Sequence, residues 1–267
     1  MNYTLITGAS GGIGEATARE FAAKKHNLIL VARNENKLSQ LCAELSTSDG
    51  VKTVYIATDL SQDFAPQHIY DECEKRNLQV DVLINNAGIG SSGEFSEADL
   101  QTELNIIQIN CASLTALTHL FLQDMKKRKS GNIINIGSII SFIASPYMSV
   151  YAASKHFVKV FTYSLAEECK LHNVAIMFFC PGLTTSNFMN TQSNNNAWGK
   201  ALTSNADTQT PKEVALELVL AYNSKKVFHI SGSKNRRMAI LSGLFPLRTI
   251  ARMFARQKQK QMGLINK

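Results

Sequence analysis

A chain of 267 residues, 45% hydrophobic and 18% charged, has enough apolar material for one buried α/β core and no Pro, Gly or Ser stretch long enough to divide it, which argues against disorder. The net charge of +7 is a poor sign of an anionic partner, because residues 225–267 hold 11 Lys and Arg without one Asp or Glu and leave the remainder net negative. No basic and aromatic residues interleave and no zinc-finger spacing occurs, so no nucleic-acid partner is expected. The five cysteines are widely spaced and never form C-x-x-C, so neither a disulfide framework nor a metal site is indicated. With a first segment that lacks secretory character, the expectation is a cytoplasmic protein.

Residues 3–6 are an apolar run of strand length. Thr7-Gly8-Ala9-Ser10-Gly11-Gly12-Ile13-Gly14 follows and opens a helical segment over 15–24. In that context a glycine-rich turn lets backbone N–H groups approach a pyrophosphate, helped by the positive end of the helix. Gly8, Gly12 and Gly14 carry the pattern. The second strand, 28–31, runs into Ala32-Arg33, where an NAD-selective site would place an acidic residue. A guanidinium there suits a 2′-phosphate, so NADP(H) is expected over NAD(H), with Glu35 as the acid that could argue otherwise.

A helical segment at 37–45 leads to a third strand at 54–57, followed by Thr58-Asp59-Leu60. Helical spacing at 69–76 precedes a fourth strand at 82–84, which ends in Asn85-Asn86-Ala87-Gly88. One long helical segment, 104–127, contains Asn110, and a fifth strand at 133–136 ends in Gly137-Ser138. A helical segment over 151–171 opens with Tyr151-Ala-Ala-Ser-Lys155, whose spacing puts phenol and ammonium on one face a turn apart. At ~5 Å and an effective dielectric of ~20 the ammonium favours the phenolate by about 3 kcal/mol, so a lowered Tyr151 pKa is expected. Such a phenol can pass a proton to or from a carbonyl oxygen.

The sixth strand, 175–179, is followed by Pro181-Gly182-Leu183-Thr184-Thr185-Ser186. A polar stretch over 187–209 reads as a lid, and Phe142, Ile143, Tyr147 and Met148 as an apolar wall. Thr210, Pro211 and Glu213 mark a capped helix start, and 227–230 a last strand. Beyond it, Arg248, Arg252 and Arg256 lie on one face, with Leu247, Ile250 and Phe254 on another. This basic arm is expected to pack on protein, a weak contact with an anionic membrane being the alternative. Alternating apolar strands and helices indicate an α/β, doubly wound parallel sheet of about seven strands, a Rossmann fold. Its catalytic domain would span 1–233 and the arm 234–267.

Taken together, these residues resemble the short-chain dehydrogenase/reductase family from about Asn2 to Gly232. The resemblance implies Tyr151 as general acid and base, Lys155 tuning it and holding the nicotinamide ribose, Ser138 orienting the carbonyl, and Asn110 completing a relay through water. It implies a dinucleotide held by Gly8, Ser10, Gly12, Ile13, Gly14 and Arg33, by Asp59 and Leu60, by Asn86, Ala87 and Gly88, and by Pro181, Gly182 and Thr184. A small carbonyl or alcohol substrate and a homodimer or homotetramer follow from it. Three departures stand out: Ser186 where Thr is usual, Thr184 where an aliphatic residue is usual, and Gly137 where a second serine is common, which would loosen the surroundings of Ser138. A sensor of the same fold without turnover is the rival reading, and an extended-branch epimerase would need a larger C-terminal domain.

Overall fold

The computed structural model describes residues 2–185, 188, 194, 196–199 and 208–265. Seven strands form one sheet: β1 (Asn2–Thr7), β2 (Asn27–Ala32), β3 (Thr53–Ala57), β4 (Gln79–Asn85), β5 (Gly131–Ile136), β6 (Val174–Cys180) and β7 (Phe228–Ile230). They run in the order β3-β2-β1-β4-β5-β6-β7, every pair parallel. Because parallel strands need crossovers, helices cover both faces and the strands are apolar on both sides.

On one face, α1 (Gly12–Ala23), α2 (Glu35–Asp49) and α7 (Pro211–Asn223) bury Ala18, Phe21, Leu38, Leu41, Val214 and Leu218 against the sheet. On the other lie α3 (Ala65–Lys75), α4 (Leu100–Ile107), α5 (Leu114–Lys127) and α6 (Ser149–Cys169), and Ile69, Leu117, Phe121, Met125 and Ala166 fill that core. Strand order reverses between β1 and β4, which opens a crevice at their carboxyl ends. The expected helix start at Thr210 is observed, with a reciprocal capping box to Glu213 and Pro211 in the first turn.

Two features depart from the periodic reading. The single helix expected over 104–127 is α4 and α5 joined by a π-helical turn, Gln108–Ser113. Apolar spacing runs on unbroken across such a turn, so period alone does not reveal it. A buried polar row also crosses the sheet: the Asn85 amide donates to Thr118 Oγ1 at 3.0 Å and to Asn135 Oδ1 at 2.8 Å, and the Asn135 amide donates to Thr162 Oγ1 at 3.0 Å. Asn85 and Asn135 are register partners on β4 and β5, so their side chains leave the sheet on one face. Both amide nitrogens and the Asn135 oxygen meet partners, which makes their burial tolerable, while the Asn85 oxygen is buried without one.

The C-terminal arm forms α8 (Ser233–Ser242) and α9 (Leu247–Gln261). Helix α9 buries Ile250 and Lys258, and the Lys258 ammonium donates to Ser145 Oγ at 3.1 Å and to the Pro146 carbonyl at 2.6 Å. Burial pushes its pKa down to about 8. The Gln259 amide donates to the Tyr147 hydroxyl at 2.9 Å. One face of the arm thus packs on protein through Ile250, Lys258 and Gln259, while Leu247 of the expected apolar face is exposed.

Candidate active site

The glycine loop leaves β1 and returns as α1 in a turn only glycine tolerates. Gly8 and Gly12 have φ of 68° and 55°. A Cβ on Gly14 would fall within the radius of the Gly8 carbonyl oxygen and close to the Asn86 amide nitrogen. Asn86 is itself a brace: its amide donates to the Thr7 carbonyl at 2.8 Å, while the N–H groups of Asn86 and Ala87 donate to Thr7 Oγ1 at 3.0 and 2.9 Å. Ser10 and Ile13 are half-buried, and Ala9 N–H donates to the Val31 carbonyl at 3.2 Å, joining the loop to β2. The first α1 turn therefore aims backbone N–H groups without helical partners at the crevice, a cradle that fits an anionic dinucleotide. Thr7 was passed over in the sequence, and its side chain is what stitches the loop to β4.

At the carboxyl end of β2, the Arg33 guanidinium is exposed and 4.0 Å from Asp59 Oδ2 beyond β3. Asp59 also accepts from Ser61 N–H at 3.0 Å, and the buried Leu60 accepts on its carbonyl from Ser113 Oγ at 2.7 Å. Glu35 turns away onto the Tyr55 hydroxyl at 3.3 Å.

Tyr151, Lys155 and Ser138 meet at the ends of β4, β5 and β6. Tyr151 and Lys155, one turn apart on α6, are 7% and 4% exposed. Ser138 caps a short 3-10 turn, Ile139–Phe142, and its hydroxyl is a hydrogen-bond partner of the Tyr151 phenol. Gly137 N–H donates to the Phe179 carbonyl at 2.7 Å and Ile139 N–H to the Pro181 carbonyl at 3.0 Å, which hold the serine against β6. A Cβ on Gly137 would enter the Phe178 ring, so the departure from a second serine makes room for an aromatic side chain and the surroundings are filled, not loosened.

The acidification expected from the Tyr-Lys spacing is not what the protein groups produce. Burial raises the Tyr151 pKa to about 12, opposed by the hydrogen bond with Ser138. The Lys155 ammonium is 6.0 Å from the phenol ring centroid and donates to the Ile136 carbonyl at 3.0 Å. Burial lowers its own pKa to about 8. Helical spacing gave the right neighbours, but desolvation is the larger effect on both groups.

Gly88 lies against this cluster, since a Cβ there would be 3.2 Å from Asn110 Oδ1 and 3.3 Å from Lys155 Nζ. Asn110 sits in the π turn and its side chain is fully engaged: Oδ1 accepts from Ile89 N–H at 3.0 Å, and Nδ2 donates to the Ile89 carbonyl at 2.9 Å and to Ser154 Oγ at 3.0 Å. It pins the chain after β4 to α6. On the β6 side, Gly182 packs on Asn235, and Thr184 Oγ1 donates to the Gly182 carbonyl at 3.1 Å. Ser186 lies outside the described residues.

Of the expected wall, Met148 packs on Tyr151 with Ile106, Ile89, Ile140 and Phe188. Phe142 does not; its ring lies 6.3 Å from Phe178 and 6.2 Å from Phe228, in the core behind β6. Much of the expected lid, 187–209, is outside the described residues, but Phe188 is 5.4 Å from the Tyr151 ring and Trp198 stacks on Tyr147 at 3.8 Å. A cavity of about 610 Å³ opens beside Met148, Tyr147 and Trp198. Another, of about 210 Å³ around Asn132, Val174 and Tyr222, lies toward the amino ends of β5 and β6 and holds none of these groups.

Residues 2–197 match the family model described as short chain dehydrogenase. The chain is 36% identical over 190 residues to a very-long-chain 3-oxoacyl-CoA reductase of Pyrenophora tritici-repentis, covering 69% of this chain and 55% of that protein. It is 31% identical over 218 residues to human 17-beta-hydroxysteroid dehydrogenase type 3, covering 80% of this chain and 66% of the relative. A short-chain dehydrogenase from Sphingobium yanoikuyae, solved in complex with NADPH, superposes with a TM-score of 0.82 at 25% identity, covering 100% of this chain and 97% of that one. The chain spans about half the length of several curated relatives it matches.

These relatives overturn the cytoplasmic expectation. They are named for very-long-chain acyl and steroid chemistry, and such apolar bodies partition from water into bilayers. The helical stretch Leu100–Lys127 is long and apolar enough to cross a membrane by length and composition, but its Leu117, Phe121 and Met125 pack in the core beneath the sheet, so its apolar character is that of a core helix. Cysteine usage and the first residues, on which the expectation rested, report redox state and export, not contact with a membrane. With the reversed strand order, the glycine cradle and the half-buried Ser138 beside the buried Tyr151 and Lys155, the match establishes that this chain belongs to the short-chain dehydrogenase family of oxidoreductases.

Proposed function

We propose that the protein interconverts a ketone or aldehyde carried on an apolar body and the corresponding alcohol, with NADP(H) as the redox partner. One observation carries the reading: a buried phenol with a serine hydroxyl as partner and an ammonium beside it, facing the crevice into which the glycine cradle opens. When bound, the nicotinamide supplies or accepts the hydride. The chain's own groups do the rest. The Tyr151 phenol donates its proton to the substrate oxygen, and the Ser138 hydroxyl orients that oxygen. One proton of the Lys155 ammonium is placed on the Ile136 carbonyl, leaving two for ribose hydroxyls. Asn110 holds the loop after β4 against Ser154, the residue before Lys155, and a water relay would run past it.

With a pKa raised by burial to about 12 the phenol is protonated at neutral pH, the form that can donate a proton to a carbonyl oxygen. Reduction is expected to hold a level rate up to about pH 7, to fall to about half near pH 8 and to decline further above it, as Lys155 with its pKa of about 8 loses the charge that stabilises the forming phenolate. A reductive pH profile rising through pH 8 would contradict this role.

The preference for NADP(H) is supported by the exposed Arg33 at the β2 end and by Glu35 being turned onto Tyr55. Arg33→Asp is expected to raise the KM for NADPH about 10- to 100-fold and to leave that for NADH nearly unchanged. Equal changes in both would remove the 2′-phosphate assignment.

The apolar side chains of Met148, Phe188 and Ile140 around the phenol, and the substrates named in the two relatives, support a 3-oxoacyl thioester or a steroid-like ketone. Oxidation of NADPH by purified protein against aldehydes, diketones, steroids and long-chain 3-oxoacyl thioesters tests this. Activity on none of them would favour the sensor reading. Self-association is supported by Leu104 and Ile107 on α4 and by Phe157 and Val160 on the adjoining α6, all exposed. Light scattering of the eluting protein would report a monomer if this face is not paired.

A further inference from the structure

The inner face of the arm is engaged with protein, and its outer side is not. Within residues 240–247, at the corner between α8 and α9, Ile240, Leu241, Leu244, Phe245 and Leu247 are each 51–71% exposed. Single exposed apolar residues need no explanation, but five within eight positions form a patch of the kind that marks an interaction surface. Exposed cations flank it on both sides: Arg236 and Arg237 on α8, and Arg248, Arg252 and Arg256 on α9. Among the described residues Arg248, Arg252 and Arg256 form no ion pair, and residues 225–267 contain no acidic residue. The sequence pattern had grouped Ile250 with Leu247, but Ile250 is buried inward, so the apolar outer surface is the corner and not the length of α9.

The corner is also held in place. Lys258 and Gln259 fasten α9 to residues 145–147, the segment that leads into α6 and Tyr151. An apolar tip fixed on a rigid base and ringed by arginines complements the boundary between anionic headgroups and acyl chains. A second copy of the same corner would meet it with like charge.

We propose that the α8–α9 corner seats this protein on an anionic bilayer surface. Ile240, Leu241, Leu244, Phe245 and Leu247 enter the headgroup–acyl boundary, and the flanking arginines face the phosphates. The seating stands independently of the reaction. If the reaction is as proposed, it also brings the pocket near the medium in which long-chain or steroid ketones dissolve.

The test is co-sedimentation of the intact protein with vesicles of phosphatidylcholine alone or with about one-third phosphatidylglycerol. Binding is expected to the anionic vesicles, weakening more than tenfold when salt rises from ~50 to ~500 mM. Arg248→Gln and Arg252→Gln are each expected to cost about fivefold. The pair Leu244→Gln and Phe245→Gln is expected to cost more than tenfold without changing the thermal midpoint, because both side chains are exposed. The proposal fails if the protein ignores anionic vesicles, or if the Leu244, Phe245 variant binds them as well as the parent. It also fails if that variant changes only the sedimenting mass, which would make the corner a protein interface.

Discussion

Tyr151→Phe is expected to lower the turnover of the proposed carbonyl reduction about 10²- to 10⁴-fold, the range that a positioned acid contributes. The substitution is narrow. The ring, its 5.4 Å contact with Phe188 and its packing on Met148 all survive, and only the hydroxyl is lost. That hydroxyl is the partner of Ser138 at the crevice. Cys180 is not a substitute, since burial raises its thiol well above the usual range. Stability should change by no more than about 1 kcal/mol, the net value of a typical hydrogen bond. Titration of NADH and NADPH fluorescence should show cofactor affinity within about twofold of the parent, because the cradle lies between β1 and α1, away from the phenol hydroxyl. Turnover retained to within about tenfold would remove Tyr151 from the chemistry, and a parallel loss of cofactor affinity would make its role structural.

The second large effect concerns two glycines in one motif that differ in what surrounds them. Gly14→Ala places a methyl group against the Gly8 carbonyl oxygen and the Asn86 amide, a brace already bonded to Thr7. Nothing there yields cheaply: the oxygen is backbone and the amide is fixed by its bond across to β1. Overpacking of this kind costs about 1–3 kcal/mol. The larger consequence is for function, since relief of the clash displaces the loop, and a misplacement of about 1 Å is worth roughly 10²-fold in rate. Gly11→Ala is the control. Its φ of 172° is extended backbone open to any residue, and a Cβ there meets no atom within 4 Å. Thermal melts should separate the two variants by several degrees. If Gly11→Ala melts as low as Gly14→Ala, close packing is not the reason for glycine in this loop.

The contrast between these glycines marks how far the pattern of residues can be read. Position after a strand and before a helix singles out the loop, and the spacing of Gly8, Gly12 and Gly14 indicates a nucleotide cradle. The crowding at Gly14 depends on Asn86, more than 70 residues away, and becomes visible only when β4 lies beside β1. Arg33 and Asp59 were each legible as strand-end residues, but not their pairing across β2 and β3. Phe142 was misplaced in the pocket wall for a related reason. Phe142 and Phe188 are both apolar residues in loops near the site, and only the packing of Phe142 behind β6 and of Phe188 over Tyr151 distinguishes them.

Local periodicity and turn chemistry determined the order of strands and helices, the parallel sheet, the nucleotide cradle and the pairing of Tyr151 with Lys155 on one helix face. Those features depend on neighbours a few residues apart, where spacing dictates geometry. Tertiary structure alone decided the rest: the π turn that places Asn110, the row from Thr118 to Thr162, the burial that raises one pKa and lowers the other, and the division of the arm into a docked face and an open corner. Each of these depends on desolvation and contact between segments distant in the chain, and both are properties of the assembled core.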